Sequence, residues 1–336
     1  MITCSPPRLK TEPWQRELAD AVTEPAELLR LLGLDPAQLP PLRPAGGAFP
    51  LRVPRYFVDL MHRGDPADPL LAQVLPLAAE DGPAAGFTCD PVGDMAAHND
   101  HGILQKYRGR ALMITTGACA IHCRYCFRRH FPYQDHSVLR HWRYAMQTLR
   151  DLPGTRELIL SGGDPLSLSD DRLGRLVADA EDLPHLSTLR IHTRLPVVLP
   201  TRITAELVEI LSRSRLRTVM VIHANHPHEV TADLHHALHK LASAGVSLLN
   251  QSVLLKSVND DADTLATLSE ALFAIGVMPY YLHLLDPVAG AARFDVTLRK
   301  ARQLLEALRL RLPGYLVPRM VREIPGEASK TPISGL

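Results

Sequence analysis

The sequence predicts a parallel α/β fold, a partial (β/α)6 barrel, on three observations. From about residue 108 short apolar runs alternate with helical patterns. The runs lie at 111–116, 157–161, 188–193, 217–223, 246–255 and 277–284, and the helical patterns at 144–152, 170–181, 205–214, 233–244, 263–275 and 296–312. Parallel strands need crossover connections, so six strand–helix units in series argue one sheet with helices outside. The chain has 336 residues, 46% of them hydrophobic, which is enough for a large core, and barrels of this length often form one domain. Polar clusters follow the strands at their carboxyl ends, where chemistry sits in such folds.

Residues 1–105 read as a mostly helical N-terminal extension that wraps the barrel domain. Short helices are expected over 14–22 and 25–32, the second opening with Pro25 at a tolerated first-turn position. Asp35-Pro36, Pro40-Pro41 and the Pro44-Ala-Gly-Gly segment interrupt regular structure after the second helix. A further helix or turn is expected over 52–62, and 68–76 and 90–94 read as loops.

The barrel core spans 106–313. Cysteines follow the first strand, Ser161-Gly162-Gly163-Asp164-Pro165 the second, His192-Thr193-Arg194 the third and His223-Ala224-Asn225-His226 the fourth. Asn250-Gln251 lies within the fifth strand, and Asp286-Pro287 follows the sixth. In the last helix Val296, Leu304, Leu305, Leu308 and Leu312 share one face at helical spacing. The segment 314–336 begins with one more extended stretch, 314–320, and ends in a Gly/Pro/Ser loop.

Lys+Arg 37 against Asp+Glu 36 gives a net charge of +1, so no basic field points to nucleic acid. The N-terminus has no apolar h-region, which argues against a signal peptide. No run approaches the ~20 apolar residues of a membrane span. The expectation is a cytoplasmic protein without a membrane partner.

Three of the five cysteines fall within eight residues, Cys119-Ala-Ile-His-Cys123-Arg-Tyr-Cys126. Thiolates suit iron–sulfur clusters and zinc. A zinc site wants four ligands, and a structural 4Fe–4S cluster normally takes four cysteines. Three thiolates therefore leave one iron open to a substrate or cofactor. A disulfide is disfavoured in a chain with few, odd-numbered cysteines and no secretory signature. Zinc with His122 or His130 as fourth ligand stays open on the motif alone. Cys4 and Cys89 stand apart and read as ordinary thiols.

Other residues carry two readings each. Gly162-Gly163-Asp164 is a structural turn, or a place where backbone approaches a ligand and a carboxylate meets an ammonium. His192, Arg194, His223 and Gln251 are satisfied partners in the barrel mouth or ligand-binding groups. Lys330 is a solvated lysine or an amine that forms Schiff bases.

The C-x3-C-x2-C spacing, with Tyr125 before the last cysteine, resembles the signature of the radical S-adenosylmethionine (SAM) enzymes, whose open iron chelates the amino and carboxylate groups of SAM. The tail 322–332 resembles the pyridoxal phosphate (PLP) lysine loop of the lysine 2,3-aminomutase family. The likeness runs from about 68 to 330, carried by 68–70, 119–133, 161–166, 192–196, 249–256, 278–286 and 315–332. More narrowly, 127–133, 290–294 and 326–332 are similar to the branch that makes (R)-β-lysine, which a separate ligase attaches to elongation factor P (EF-P).

The resemblance implies a radical SAM, TIM-like barrel and the conversion of (S)-lysine to (R)-β-lysine by PLP-assisted 1,2-amino migration. An external electron donor is needed, and EF-P and its ligase are indirect partners. Cys119, Cys123 and Cys126 would hold a 4Fe–4S cluster. Tyr125, Ser161, Gly162, Gly163, Asp164, His192, Arg194, His223 and Gln251 would lie on the SAM side. Arg128 would clamp the substrate α-carboxylate, and Asp286 would pair with its ε-ammonium. Arg110, with Lys106 and Tyr107, would hold the PLP phosphate, and Lys330 would carry PLP.

Two departures from the family stand out. Glu323 occupies the place of an aspartate seven residues before the PLP lysine. The family's C-terminal zinc cysteines are missing, and Asp261 stands where another zinc ligand would align. No zinc is expected, and a homo-oligomer need not be the family's zinc-supported tetramer. The alternatives are an aminomutase acting on free lysine or another amino acid in metabolism, and a non-catalytic iron–sulfur or EF-P-binding protein.

Overall fold

The computed structural model describes residues 12–43, 49–99 and 101–334. Cys4 and the expected break at 44–47 lie outside the described residues. The extension carries helices α1 (Pro13–Ala19), α2 (Pro25–Leu32), α3 (Arg55–Asp59) and α4 (Pro69–Ala72). The loop expected over 68–76 therefore holds a short helix. Its cause is local: the Asp68 carboxylate accepts from the Leu70 and Leu71 amides, each at 2.8 Å, and Pro69 opens the turn.

The sheet begins with β1 (His98–Asn99) and β2 (Ile103–Leu104) and continues through β3 (Arg110–Thr116). After β3 come α5 (Tyr133–His136) and α6 (Val138–Arg150), then β4 (Glu157–Gly162) and α7 (Asp170–Glu181). Next are β5 (Thr188–Thr193), α8 (Leu195–Val198), α9 (Ala205–Arg213), β6 (Arg217–Ile222) and α10 (Ala232–Ser243). The chain closes with β7 (Ser247–Leu254), α11 (Ala262–Ala274), β8 (Met278–Leu284), α12 (Leu298–Arg311), β9 (Arg319–Arg322) and β10 (Thr331–Pro332).

Strand order follows chain order. β3 to β9 run parallel, and an antiparallel partner flanks each edge. The six expected strands all form, and β9 adds a seventh parallel one. The stretch expected to be extended over 314–320 instead opens with a 3-10 turn at Gly314–Leu316 before β9. A further difference is α6, which starts at Val138, ahead of the expected 144. It bends at His141 (φ −127°, ψ 28°), and that bend hides its first turn from a periodicity reading.

Helix starts are set by side-chain caps. Thr204, Thr231, Asp261 and Thr297 accept the amides of Leu207, Leu234, Thr264 and Lys300 and so open α9, α10, α11 and α12. Asp261 is thus an N-cap. Outward strand residues such as Leu158, Leu160, Leu189, Ile191, Met220 and Ile222 are buried in one core with Leu173, Leu176, Leu207 and Leu238 from the helices. Burying the outer face leaves the inner face of the sheet to line a cavity.

The extension is fastened to the barrel by charge. Glu80 is fully buried as a side chain and accepts from Arg124 Nε at 3.0 Å and Arg129 Nη2 at 2.8 Å. Burial alone would push its carboxyl up, but Arg124 and then Arg129 hold it below the ordinary carboxylate range. Glu80→Ala strands two buried guanidinium groups and should cost about 3–5 kcal/mol in urea unfolding. Because the folded value is depressed, the Glu80 contribution is present above the ordinary carboxylate pKa and is lost as pH falls through the folded value. The wild-type advantage over the variant should shrink on acidification; a pH-independent difference would show that Glu80 acts by packing alone.

Candidate active site

Strand geometry builds the site. Successive strand residues point to opposite faces, and the cavity wall takes every second residue: Arg110 and Leu112, Ile159 and Ser161, Arg190 and His192, Gln251 and Val253, Tyr281 and His283, Arg319 and Val321. Asp94, Lys106, Arg128, His223, Asp286, Glu323 and Lys330 complete a cavity of about 870 Å³. That volume suits cofactor-sized ligands.

The cysteine loop leaves the carboxyl end of β3. Two glycines let β4 approach it. Gly162 has φ +125°, and a Cβ there would lie 2.6 Å from Thr116 O; a Cβ on Gly163 would lie 2.4 Å from Ala118 O. The Gly163 and Asp164 amides donate to Thr116 O at 2.7 Å and Ala118 O at 2.8 Å. The Asp164 carboxylate accepts from Thr193 Oγ1 and from the Leu166, Arg194 and Leu195 amides at 2.7–3.0 Å. Burial nonetheless holds it above the ordinary range. Glycines and aspartate therefore lock the loop carrying Cys119.

The cysteines themselves sit among N–H donors. Arg194 Nη1 reaches Cys123 Sγ at 2.9 Å, and the Arg128 amide donates to Cys126. Burial pushes the Cys126 thiol up to about 11 and the Cys119 thiol well above its ordinary value. Such thiols ionise when a metal takes the proton's place, and N–H···S bonds then stabilise the thiolates. His122 Nδ1 faces Pro50 O at 2.9 Å and His130 Nε2 faces Ala289 O at 3.1 Å, contacts that orient each ring through one nitrogen. The donor set fits a three-cysteine cluster with one open iron.

Deeper in the barrel, burial drives His192 and His283 well below the ordinary imidazole value and His223 to about 3. All three are neutral at pH 7, so they act as hydrogen-bond partners and carry no charge. Their Nε2 atoms, Gln251 Oε1 and Asp286 Oδ1 are buried without a hydrogen-bond partner among the described residues. Buried polar atoms left unpaired are costly. Five orphans on one wall fit a polar ligand that pairs with them.

At the rim a hairpin sets the distance between two charges. β9 and β10 pair Thr331 with Arg322, which places Lys330 beside Glu323 across the connecting loop. Lys330 Nζ lies 2.7 Å from Glu323 Oε2, and Tyr107 donates to Glu323 Oε1 at 2.5 Å. Lys330 is also 5.9 Å from the centre of the Tyr281 ring. Beside them, Lys106 Nζ lies 3.8 Å from Glu323 Oε1 and 2.6 Å from Asp94, Asp94 also meets Arg128 Nε at 2.7 Å, and Arg128 Nη1 donates to Ser161 Oγ at 2.8 Å. Among the described residues Arg128 Nη2 makes no hydrogen bond, and neither Arg110 nor Arg319 has an ion pair. The side chains fit an aldehyde cofactor at Lys330 and its phosphate near Arg110.

Most sequence-derived candidates meet here, in two tiers. Ser161, His192, His223, Gln251, Asp286, Arg110, Lys106, Tyr107, Arg128, Glu323 and Lys330 line the cavity. Tyr125, Asp164 and Arg194 are instead absorbed by protein partners: Tyr125 contacts Arg194 and takes a bond from Asn225 Nδ2 at 2.6 Å. Among the phosphate candidates Lys106 and Tyr107 are committed to carboxylates, leaving Arg110. Sequence reading missed Asp94, Tyr281, His283 and Arg319. The two-residue rhythm of 281/283 and 319/321 was the available signal.

Residues 113–268 match the Radical SAM superfamily. The chain is 51% identical over 324 residues to L-lysine 2,3-aminomutase of Escherichia coli, covering 96% of this chain and 94% of that one. It is 46% identical over 319 residues to the Haemophilus influenzae protein of that name, covering 95% and 94%. Against the Clostridium subterminale protein of that name the identity is 34% over 322 residues, covering 95% and 77%.

Asp286 yields a direct test. Burial raises its carboxyl to about 7, against the opposing pull of Lys330. Between the ordinary value and 7 the folded state holds a proton that the unfolded state has lost, so stability falls as pH rises through this window. Asp286→Asn removes that cost. The unliganded variant should melt higher than wild type at pH 8, with the gap closing as pH is lowered towards 4, while its affinity for lysine falls. Equal melting at every pH would show that Asp286 is solvated.

Proposed function

The chain belongs to the lysine 2,3-aminomutase family of radical SAM enzymes, and we propose that it converts (S)-lysine to (R)-β-lysine with PLP carried on Lys330, supplying β-lysine for modification of EF-P. As a member it is an isomerase that uses a 4Fe–4S cluster, SAM and PLP. The observation that carries the reading is one cavity wall holding the Lys330 amine, the pre-oriented Arg128 guanidinium and the Asp286 and Glu323 carboxylates. The EF-P assignment rests on the likeness of 127–133, 290–294 and 326–332 to that branch.

Bound together, the cluster and SAM supply a carbon radical, and PLP carries the migrating nitrogen. The chain's residues do the rest. Arg128 is fixed at two nitrogens by Asp94 and Ser161 and offers Nη2 to the substrate α-carboxylate. Asp286 meets the ε-ammonium, whose charge favours the ionised carboxylate. Burial would raise the Glu323 carboxyl, but Lys330, Tyr107 and Lys106 together hold it below its ordinary pKa. With PLP held on Lys330, Glu323 would keep only the more distant ammonium, Lys106 Nζ at 3.8 Å, and could accept the substrate's. Neutral His192, His223 and His283 pair with ligand polar atoms without adding charge. The enclosed barrel excludes water from a reactive radical.

An anaerobic assay of reconstituted protein with PLP, SAM, reductant and (S)-lysine tests the reaction by chiral chromatography. (R)-β-lysine is expected; SAM cleavage without β-lysine would move the substrate elsewhere. Borohydride reduction of PLP-treated protein should leave a cofactor adduct on the Lys330 peptide and none in Lys330→Ala, with iron content equal in both. Arg128→Ala should weaken lysine binding by about 2–5 kcal/mol because the substrate α-carboxylate loses its buried charged partner, and an unchanged affinity would remove the clamp. Supplied with the ligase, active protein should add the mass of β-lysine to EF-P; unmodified EF-P would confine the enzyme to free-lysine metabolism.

A further inference from the structure

Outside the barrel mouth, on the seam between the extension and the carboxyl end of β6, lie three potential ligands from separate segments. His62 follows α3, Asp68 caps α4, and His228 sits in the turn Pro227–Glu229 after β6. One donor atom from each lies within 4.8 Å of the other two. We propose that His62, Asp68 and His228 bind a borderline divalent transition metal, zinc being the probe, that ties the N-terminal extension to the barrel.

The donor set has the right chemistry. Two imidazoles and a carboxylate suit zinc and its first-row neighbours. Metal–nitrogen and metal–oxygen bonds of about 2.0–2.2 Å put tetrahedral donors roughly 3.3–3.6 Å apart. The donor atoms lie within 4.8 Å of one another, and the two imidazoles beside the buried carboxylate are exposed. Asp68 is fully buried, yet its nearest cationic candidate is His62 Nδ1 at 3.2 Å, on a side chain 60% exposed.

Capping explains only part of Asp68. Its Oδ1 serves the Leu70 and Leu71 amides, whereas Oδ2 meets the His62 amide at 3.0 Å and the His62 ring. These bonds fix the carboxylate as outer partners fix a metal ligand. The His62 and His228 rings are 4.8 Å apart. His226 is next to His228, 4.3 Å between rings, but its Nδ1 already accepts the His228 amide at 3.2 Å. It is therefore a support, not a ligand.

The braced segments also hold the cluster loop. Gln73 follows α4 directly, and Glu229 follows His228. Both bind Arg194 Nη2, at 2.8 and 3.2 Å, and Arg194 Nη1 touches Cys123. A metal on the seam would stiffen the support of that cysteine. This donor set shares no residue with the cysteine-based zinc whose absence the sequence predicts.

The test uses cluster-reconstituted protein, equilibrated anaerobically with zinc and desalted, with zinc, iron and sulfide measured together. About one zinc per chain is expected beyond an unchanged iron content, and X-ray absorption at the zinc edge should show nitrogen and oxygen ligands without sulfur. His62→Ala/His228→Ala should lose that zinc at constant iron, and His62→Gln alone should weaken it at least tenfold, whereas His226→Ala should retain it. No zinc on the wild type, equal zinc on the double variant, or sulfur in the zinc shell would each overturn the site.

Discussion

Buried guanidinium groups set the terms for everything around the cysteine loop. Arg124, Arg128 and Arg194 are almost wholly inaccessible and remain charged because carboxylates from outside the loop meet them: Glu80, Asp94 and Glu229. A charge left alone in such surroundings costs several kcal/mol, whereas a satisfied pair is nearly neutral in net terms. The pairs therefore add little stability as a sum and a great deal of specificity as a set. Two of the three carboxylates belong to the N-terminal third, so the loop reaches its geometry only when that third is docked. This is the physical reason why a proline-rich stretch with little periodicity is packed against the site.

The barrel interior obeys the opposite rule. There polar atoms are buried and left unpaired, at His192, His223, His283, Gln251 and Asp286. A fold selected for stability alone would fill those inward positions with apolar groups, as its outer face does. Unpaired inward atoms raise the energy of the empty protein and lower that of the liganded one. Asp286 shows the exchange most plainly, since its carboxyl sits at about 7 until a cation arrives.

Much of this is legible in the sequence, because the signals are periodic or local. The six alternating strands and helices form where apolar runs predict them, and strand ends mark Ser161, His192, His223 and Asp286. The cysteine spacing and the tail lysine need no three-dimensional information. The features that escape are set by contacts far apart in sequence. Nothing local distinguishes Glu80 or Asp94 from surface acids; only their arginine partners do. Tyr125 and Arg194 look like ligand groups until Gln73, Asn225 and Glu229 are seen to absorb them. α4 reads as loop because its cap and proline occupy just one turn, and the extended stretch expected over 314–320 shifts to β9 because a 3-10 turn takes its start.

The seven-residue step from Glu323 to Lys330 joins these themes. On a helix such a step would stack the two residues; here it spans a hairpin whose register, Thr331 against Arg322, brings them face to face. The cavity wall, once Arg190 and Arg309 are set against Glu157 and Glu306, keeps Lys106, Arg110, Arg128, Arg319 and Lys330 against Asp94, Asp286 and Glu323. Positive groups are in excess, and Asp286 is half protonated near neutrality, so the wall favours a ligand that brings negative charge. Arg110 and Arg319 are the wall cations without a carboxylate among the described residues, and both act on Tyr281, which also lies near Lys330. An anionic group seated between them would hold the rest of its molecule against the Tyr281 ring, within reach of the lysine. Glu323 and Asp286 remain as carboxylate partners for a cationic group on the same wall. The wall thus holds partners for both an anion and an ammonium before any bond is made.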